Sequence, residues 1–293
     1  MIIGIDPKVD YAFKHFLGRE TTRDILSDVI DNVLHSGPGH HIRDVELLNP
    51  FNPKESFDDK QSILDIKARD QAGRQFNVEM QMLANRYYEK RILYYCAKLH
   101  QQQLHEGEDY LKLMPTISIS FLNHVLFPHV PDYHLRFRLL EESRHFPLTD
   151  DIEFHILELP KFTKTLAELT TGLDIWLYFL RHAEKIDTDK VPAELQQPLV
   201  LRALGELLML NQTDVERERY EARRKAQLDF NTAMKVSHME GRLEGRQQEK
   251  IGTIHLCERL LNRPETPTEQ LVSLSLEELT RLANELESHL LKK

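Results

Sequence analysis

Two neighbouring segments of the chain carry acids that a β-hairpin would bring together. Residues 62–69 (SILDIKAR) and 75–83 (QFNVEMQML) alternate apolar and polar side chains, which predicts two adjacent strands with one polar face each. The residues between them, DQAGR, have the composition of a hairpin turn. Symmetric pairing about residue 72 places Asp65 opposite Glu79, with Cβ atoms about 5 Å apart.

Carboxylates at this separation repel each other unless a cation lies between them or one takes a proton. Mg²⁺ is a suitable cation, because it binds one or two protein carboxylates together with water and phosphate oxygens, and it can activate a water for attack on a phosphodiester. Gln81, two residues past Glu79, could orient that water or contact a phosphate oxygen. Lys67, two residues past Asp65, could supply positive charge to the reacting phosphate.

The spacing of the acids also has a purely structural interpretation, since paired acids are common on a solvated sheet face. The opposite face of each strand is strongly apolar, and the flanking segments have helical patterns that could cover both sides of the sheet. Acids that face into such a layered core would need compensation. The pattern alone therefore leaves both interpretations open.

Further elements are predicted around this hairpin. The predicted helices are 8–35 with a break at Gly18, 85–106, and those from residue 163 onward, and the other predicted strands are 42–50, 115–123, 133–142 and 152–160. This order predicts a mixed α/β core with a helical appendage.

Several blocks of the chain resemble one known family. These blocks are DYAFKHFLG (10–18), LDIKARDQAGRQFNVEMQ (64–81), the residues Arg91, Tyr94 and Tyr95, QLHEGEDYLKLMPTISISFL (103–122) and MEGRLEGRQQEK (239–250). In order and spacing they are similar to the recombination-promoting nucleases, also called PD-(D/E)XK nuclease family transposases. Asp65 with Glu79-Met80-Gln81 resembles the nuclease motif in the variant in which Gln replaces the usual Lys.

The resemblance implies a restriction-endonuclease-like mixed sheet flanked by helices. It also implies a DNA endonuclease that uses Mg²⁺, with Mn²⁺ as a substitute, in recombination or in defence against foreign DNA. By position, Asp65 and Glu79 would bind the metal, Gln81 would take the place of the motif Lys, and Asp10 would be a further acidic contributor. Whether Gln81 or Lys67 fills the role of the missing Lys stays open.

Two cations are candidates for contacts with DNA phosphates. Arg91 lies in the helix after the hairpin, within a matched block, and Lys14 lies in the first helix, from which it could reach the same cleft. On the turns that follow Arg91, we expect Tyr95 to pack in the core and Lys98 to be a solvated end. We expect a nuclease-like domain over residues 1–165 and a helical region over 166–293.

The composition limits partners and compartment. Lys and Arg total 38 and Asp and Glu total 47, a net charge of −9, so contacts with DNA have to be local. The two cysteines form no CxxC pair, and the sequence shows no signal peptide and no apolar run of about 18 residues, so we expect a cytoplasmic protein without membrane contact. No phosphate-binding P-loop motif and no nucleophile elbow occur, which argues against ATP-driven and serine-hydrolase chemistry.

Residues 214–250 differ in kind from the rest of the chain. Their basic and acidic residues are nearly balanced and strongly apolar positions are few, which predicts a solvated helix. We expect this tail to contribute to a homo-oligomer, most simply a dimer. The alternative function is a catalytically weak or inactive DNA-binding or regulatory protein that self-associates through the tail. The intact Asp65, Glu79 and Gln81 favour the enzyme, whereas the missing Lys and the long tail favour the alternative.

Overall fold

The computed structural model describes residues 1–34, 41–49, 65–84 and 87–291, together with the backbone of 51–52 and 62–63. It divides into two compact units, Met1–Lys225 and Ala226–Lys293. The strands are β1 (Val45–Leu48), β2 (Phe51–Asn52), β3 (Ser62–Ile63), β4 (Ile66–Asp70), β5 (Gln75–Gln81), β6 (Thr116–Leu122), β7 (His134–Arg138) and β8 (Ile152–Glu158). The helices are α1 (Asp10–Leu17), α2 (Arg23–Leu34), α3 (Tyr88–Gln101), α4 (Gly172–His182), α5 (Pro198–Gln212), α6 (Asp214–Leu260), α7 (Thr268–Val272) and α8 (Leu276–Leu290).

Six of the described strands form one mixed sheet in the order β1-β4-β5-β6-β8-β7. Strands β5, β6 and β8 are parallel, and the other pairings are antiparallel. In the β4–β5 hairpin Ile66 pairs with Val78 and Ala68 with Phe76, so the predicted symmetry about residue 72 is confirmed. Asp65 directly precedes β4, and continuation of this register places it opposite Glu79.

The two faces of the sheet differ in chemistry. Ile66, Ala68, Phe76 and Val78 alternate with the polar residues of the hairpin, and they belong to a large buried core with the apolar sides of α1, α2, α4 and α5. Helix α3 packs on β5 and β6 and brings its side chains to the polar face. The mixed sheet flanked by helices confirms the predicted α/β fold, and Gly18 terminates α1 as predicted.

The first compact unit extends beyond residue 165. Helices α4 and α5 bury Trp176, Phe179 and Leu207 in the same core as α1 and α2, because their apolar stripes complete the cover of the sheet. A division of function at residue 165 stays a prediction.

The second compact unit has a separate small core. Ile254, Leu279 and Leu286 are among its buried residues, and Ser275 caps α8 by accepting a hydrogen bond from the backbone N–H of Glu278, as the capping-box pattern predicts. From residue 226 to 250 the side chains of α6 are mostly exposed, which agrees with the predicted solvated helix. Within the described residues, none of the helices combines the length and the apolar character that a membrane crossing requires.

Candidate active site

The hairpin brings Asp65 and Glu79 to one place. Asp65 Oδ2 accepts a hydrogen bond of 3.0 Å from the backbone N–H of Met80, which ties this carboxylate to β5. Glu79 lies within β5 and is only 5% exposed, and its Oε1 accepts a hydrogen bond of 3.0 Å from Asn77 Nδ2. Asn77 precedes Glu79 by two residues, so both side chains point to the same sheet face.

Both carboxyl groups are held in surroundings that disfavour their charged forms. Burial raises the pKa of Glu79, the negative charge of Asp65 raises it further, and Asn77 and Arg91 oppose the rise. Burial likewise raises the pKa of Asp65; there Lys14 opposes the rise, whereas Asp10 adds to it. Two acids with raised pKa values, each influenced by its neighbours' charges, are an arrangement typical of catalytic sites.

Lys14 of α1 lies between the two more exposed acids. Its Nζ is 2.7 Å from Asp10 Oδ1 and 3.1 Å from Asp65 Oδ1. Burial lowers the pKa of Lys14, but the charges of Asp65 and Asp10 outweigh that effect, so its pKa lies above the ordinary value. Lys14 is therefore a permanent positive charge beside Asp65. Asp10, predicted as a further acidic contributor, reaches the site through this ion pair.

Arg91 and Gln81 form the other side of the site. Arg91 Nη2 donates a hydrogen bond of 2.5 Å to Gln81 Oε1, and the same nitrogen is 4.0 Å from Glu79 Oε2. The guanidinium also lies over the ring of Tyr88, 5.1 Å from its centre, and the Gln81 amide donates to the backbone carbonyl of Leu83. Gln81 is thus part of a hydrogen-bonded chain that fixes a cation next to the buried carboxylate.

Lys67 is placed differently. It follows Asp65 by two residues, but among the described residues it forms no ion pair with either acid; burial and the charge of Arg69 lower its pKa. A catalytic role for Lys67 stays a prediction. Among the described residues, the cations that form ion pairs with the two acids are Lys14 and Arg91, the residues predicted to contact DNA.

Sequence reasoning was wrong about two side chains and overlooked a third. Lys98, predicted as a solvated end, is only 9% exposed because α3 lies flat on the polar face of the sheet, and Tyr95, predicted to pack in the core, is only half-buried. The overlooked residue is Asn77, whose amide holds the Glu79 carboxylate. Its position two residues before Glu79 on the same strand was the available signal.

The two acids suit a hard divalent cation. Among the described residues, no group of three or more His, Cys, Asp and Glu side chains is placed to hold a metal ion, so protein ligation would rest on Asp65 and Glu79. Two carboxylates, with the remaining positions left to water and phosphate, match the preference of Mg²⁺. The raised pKa of the buried Glu79 shows that the site lacks full compensation for its negative charge.

A mixed sheet flanked by helices, with two acids joined across a hairpin, defines a nuclease-like fold of the restriction-endonuclease type. The family model of the PD-(D/E)XK nuclease family transposases matches residues 7–237 of the 293, and the chain belongs to that family. No curated protein and no solved structure matches the chain.

Proposed function

We propose that the protein is a metal-dependent DNA endonuclease that hydrolyses phosphodiester bonds, in recombination or in defence against foreign DNA. The observation that carries this proposal is that the β4–β5 hairpin brings Asp65 and Glu79 together where burial raises both pKa values, the charge of Asp65 adding to the rise of Glu79 and that of Asp10 to the rise of Asp65. Membership of a nuclease family supports the same chemistry.

Asp65 and Glu79 would hold the metal, which we propose to be Mg²⁺ with Mn²⁺ as a substitute. When bound, such an ion supplies a more acidic water and stabilises charge on a phosphodiester. The backbone N–H of Met80 orients Asp65, and Asn77 orients Glu79, so both carboxylates are positioned before substrate arrives. Fixed ligand orientation of this kind is what a metal site requires from its surroundings.

Arg91 and Lys14 are the cations we propose to contact DNA. Both are partly exposed and each lies beside one of the two acids, so each can bind a phosphate oxygen as the reacting group approaches. Gln81 fixes Arg91 through its amide oxygen. We infer that this Arg91–Gln81 pair and Lys14 together supply the positive charge that the motif Lys gives in other members of the superfamily.

The test is nicking of a supercoiled plasmid with Mg²⁺ or Mn²⁺. Asp65→Asn and Glu79→Gln keep size and shape but remove one ligand charge each, and we expect both to abolish nicking. Glu194→Gln is the matched control, because Glu194 is an exposed acid in a 3₁₀ turn remote in sequence from the hairpin. Equal nicking by the wild type and by both site variants would refute the proposal.

The alternative function is a weak or inactive DNA-binding or regulatory protein that associates through its helical tail. The observation that favours it is the exposure of Val236, Met239 and Leu243, at 47%, 71% and 49%, along α6. A solvated helix gains nothing from such residues alone, whereas a second copy could cover them. We propose a homodimer for either function.

Light scattering of the full-length chain tests the dimer. Met239→Glu with Leu243→Glu keeps good helix formers but places charge on the exposed apolar positions. A dimeric wild type and a monomeric double variant would support association through the tail. The same mass for both proteins would contradict it, whatever the outcome of the nicking assay.

A further inference from the structure

A polar cavity lies on the same sheet face as Glu79, beside the last turns of α3. Its volume is about 450 Å³, and its polar lining includes Lys67, Arg69, Gln75, Gln102, His105 and Lys112. Lys67 pairs with Asn77 and Arg69 with Gln75 in the hairpin, and these positions alternate with the apolar ones, so they share the face of Glu79. We call this cavity the Lys67 pocket.

Two groups in the Lys67 pocket have no partner among the described residues: the ammonium of Lys67 has no counter-charge, and the amide nitrogen of Gln102 has no hydrogen-bond acceptor. Lys67 is half-buried and forms no ion pair or hydrogen bond with any described residue, and the charge that acts on it is that of Arg69, which has the same sign. Gln102 Nε2 is buried and has no hydrogen-bond acceptor within the described part of the chain. A half-buried cation without a counter-charge and a buried donor without an acceptor are both unfavourable.

No described residue of the lining is acidic, so the described part of the chain supplies no counter-charge inside the pocket. Arg69 reaches Glu46 only at 3.7 Å, and Lys112 pairs with Glu108 outside the lining. The lining of the Lys67 pocket is therefore suited to a ligand that is an anion and accepts several hydrogen bonds. A phosphate fits this description, since it offers negative charge and several acceptor oxygens.

The position of the pocket relative to Asp65 and Glu79 indicates which kind of phosphate it binds. Lys67 follows Asp65 by two residues, and residues two apart on a strand lie about 6.6 Å from each other. The axial rise per nucleotide of one strand is about 3.4 Å, and because the backbone winds around the axis, neighbouring phosphates lie farther apart than this rise, at a separation comparable to the distance between the two residues. A nucleic-acid strand whose phosphate lies at Asp65 and Glu79 can therefore place another phosphate near Lys67.

We propose that the Lys67 pocket binds a backbone phosphate of the same nucleic-acid strand that is held at Asp65 and Glu79. This inference rests on the proposed function. Lys67 and Arg69 supply the positive charge, and the amide nitrogens of Gln75 and Gln102 donate hydrogen bonds. Lys67 is then a binding residue, and the pocket sets the direction in which the strand crosses the sheet face.

The test measures DNA affinity against salt concentration by fluorescence anisotropy, in the Glu79→Gln background so that the DNA stays intact. We expect Lys67→Gln and Arg69→Gln each to reduce the slope of log K against log salt by about 0.9 for duplex DNA. If the contact contributes nothing at 1 M salt, this slope corresponds to about 8-fold weaker binding at 0.1 M. Lys190→Gln, at an exposed position in a 3₁₀ turn, removes the same charge elsewhere and should leave the slope unchanged.

Arg69 is more exposed than Lys67, so Arg69→Gln keeps the test valid if Lys67→Gln does not fold. A second titration with inorganic phosphate alone separates the two sources of the anion. Phosphate binding that depends on Lys67, with DNA affinity and slope unchanged, would assign the pocket to a free phosphate and overturn the strand assignment. Wild-type slopes in both variants, without phosphate binding, would overturn the pocket altogether.

The proposed function can fail independently of the pocket. A wild type that binds DNA with a slope dependent on Lys67 and Arg69, but does not nick it with any divalent ion, would refute hydrolysis and leave the pocket in place.

Discussion

The raised pKa of Glu79 predicts that Glu79→Gln stabilises the metal-free protein. Burial and the charge of Asp65 raise this pKa above its unfolded value of 4.5, so the native state binds the proton more tightly than the unfolded chain does. The free energy of unfolding therefore falls as pH rises from 4.5 through the folded pKa, and the full penalty is present above the folded pKa. A glutamine has no charge to lose and avoids this penalty.

Burial of Glu79 is the largest cause of this penalty, and the repulsion from Asp65 adds a part whose size can be worked out. Unit charges about 5 Å apart at an effective dielectric of 20 repel by about 3 kcal/mol. Lys14 at 3.1 Å from Asp65 and Arg91 at 4.0 Å from Glu79 offset part of this repulsion. We expect a net gain on the order of 1–2 kcal/mol, or roughly 2–8 °C in the melting temperature of a unit of this size.

Divalent metal should reverse the ranking. Mg²⁺ at 100 times its dissociation constant would stabilise the wild type by about 2.7 kcal/mol, whereas Glu79→Gln has lost one ligand charge and should gain little. Fluorescence of Trp176, the single tryptophan, reports on the first compact unit because its ring is buried there. Melting curves with EDTA and with Mg²⁺, and Glu194→Gln as the control, give both effects in one experiment.

Two results would refute this reasoning. If Glu79→Gln melts below the wild type in EDTA at neutral pH, repulsion between the acids does not dominate the site. If Mg²⁺ raises the melting temperature of both proteins equally, Glu79 does not bind the ion.

The remaining predictions concern the positions around the acids and the sheet. Lys14→Gln removes the cation that lowers the pKa of Asp65, so the acidic limb of the nicking rate should move to higher pH; an unchanged profile would contradict a role for Lys14 beside Asp65. Burial alone would raise the pKa of Glu153, but hydrogen bonds from His155 and Arg136 hold this pKa at about 2. The ionised Glu153 carboxylate therefore contributes fully to stability above about pH 4.5, and this contribution is lost as pH falls towards 2. Acid unfolding of Glu153→Gln against the wild type checks this, since their difference should shrink over that range. Gly73→Ala should lower the free energy of unfolding by about 1–2 kcal/mol, because φ is +87° and the new Cβ would lie 3.2 Å from Met114 Cγ. Gly107→Ala, at φ +85° with open space around the new Cβ, isolates the cost of the backbone conformation. Urea unfolding of both variants measures the two effects.

The hairpin was predictable because its information is local. A four-residue turn between two alternating segments fixes the register, and the register alone places Asp65 opposite Glu79. The ends of the elements were less predictable: the helix expected to run to residue 106 ends at Gln101, and the strand expected at 133–142 is observed at His134–Arg138, while residues 85 and 86 of the predicted helix lie outside the described residues. Terminal residues are decided by capping and by neighbouring loops more than by periodicity.

Contacts between segments that are distant in sequence could not be predicted from the local sequence pattern. Lys14 lies far before Asp65 in the chain, and only the packing of α1 on the sheet brings the two together. The burial of Lys98 depends in the same way on how α3 lies on β5 and β6. Lys67 follows Asp65 by only two residues, yet among the described residues it forms no ion pair with either acid and instead lines a pocket with Arg69 and Gln102.

The hydrogen bond from the backbone of Met80 to Asp65 makes the site tolerant of substitutions of the Met80 side chain. The donor is a backbone N–H, which every amino acid except proline provides. The Met80 side chain itself is buried in the core on the other side of the strand. Apolar residues of different shape can therefore replace Met80 without releasing the Asp65 carboxylate. Proline has no backbone N–H, so it would remove the hydrogen bond that holds Asp65 against β5.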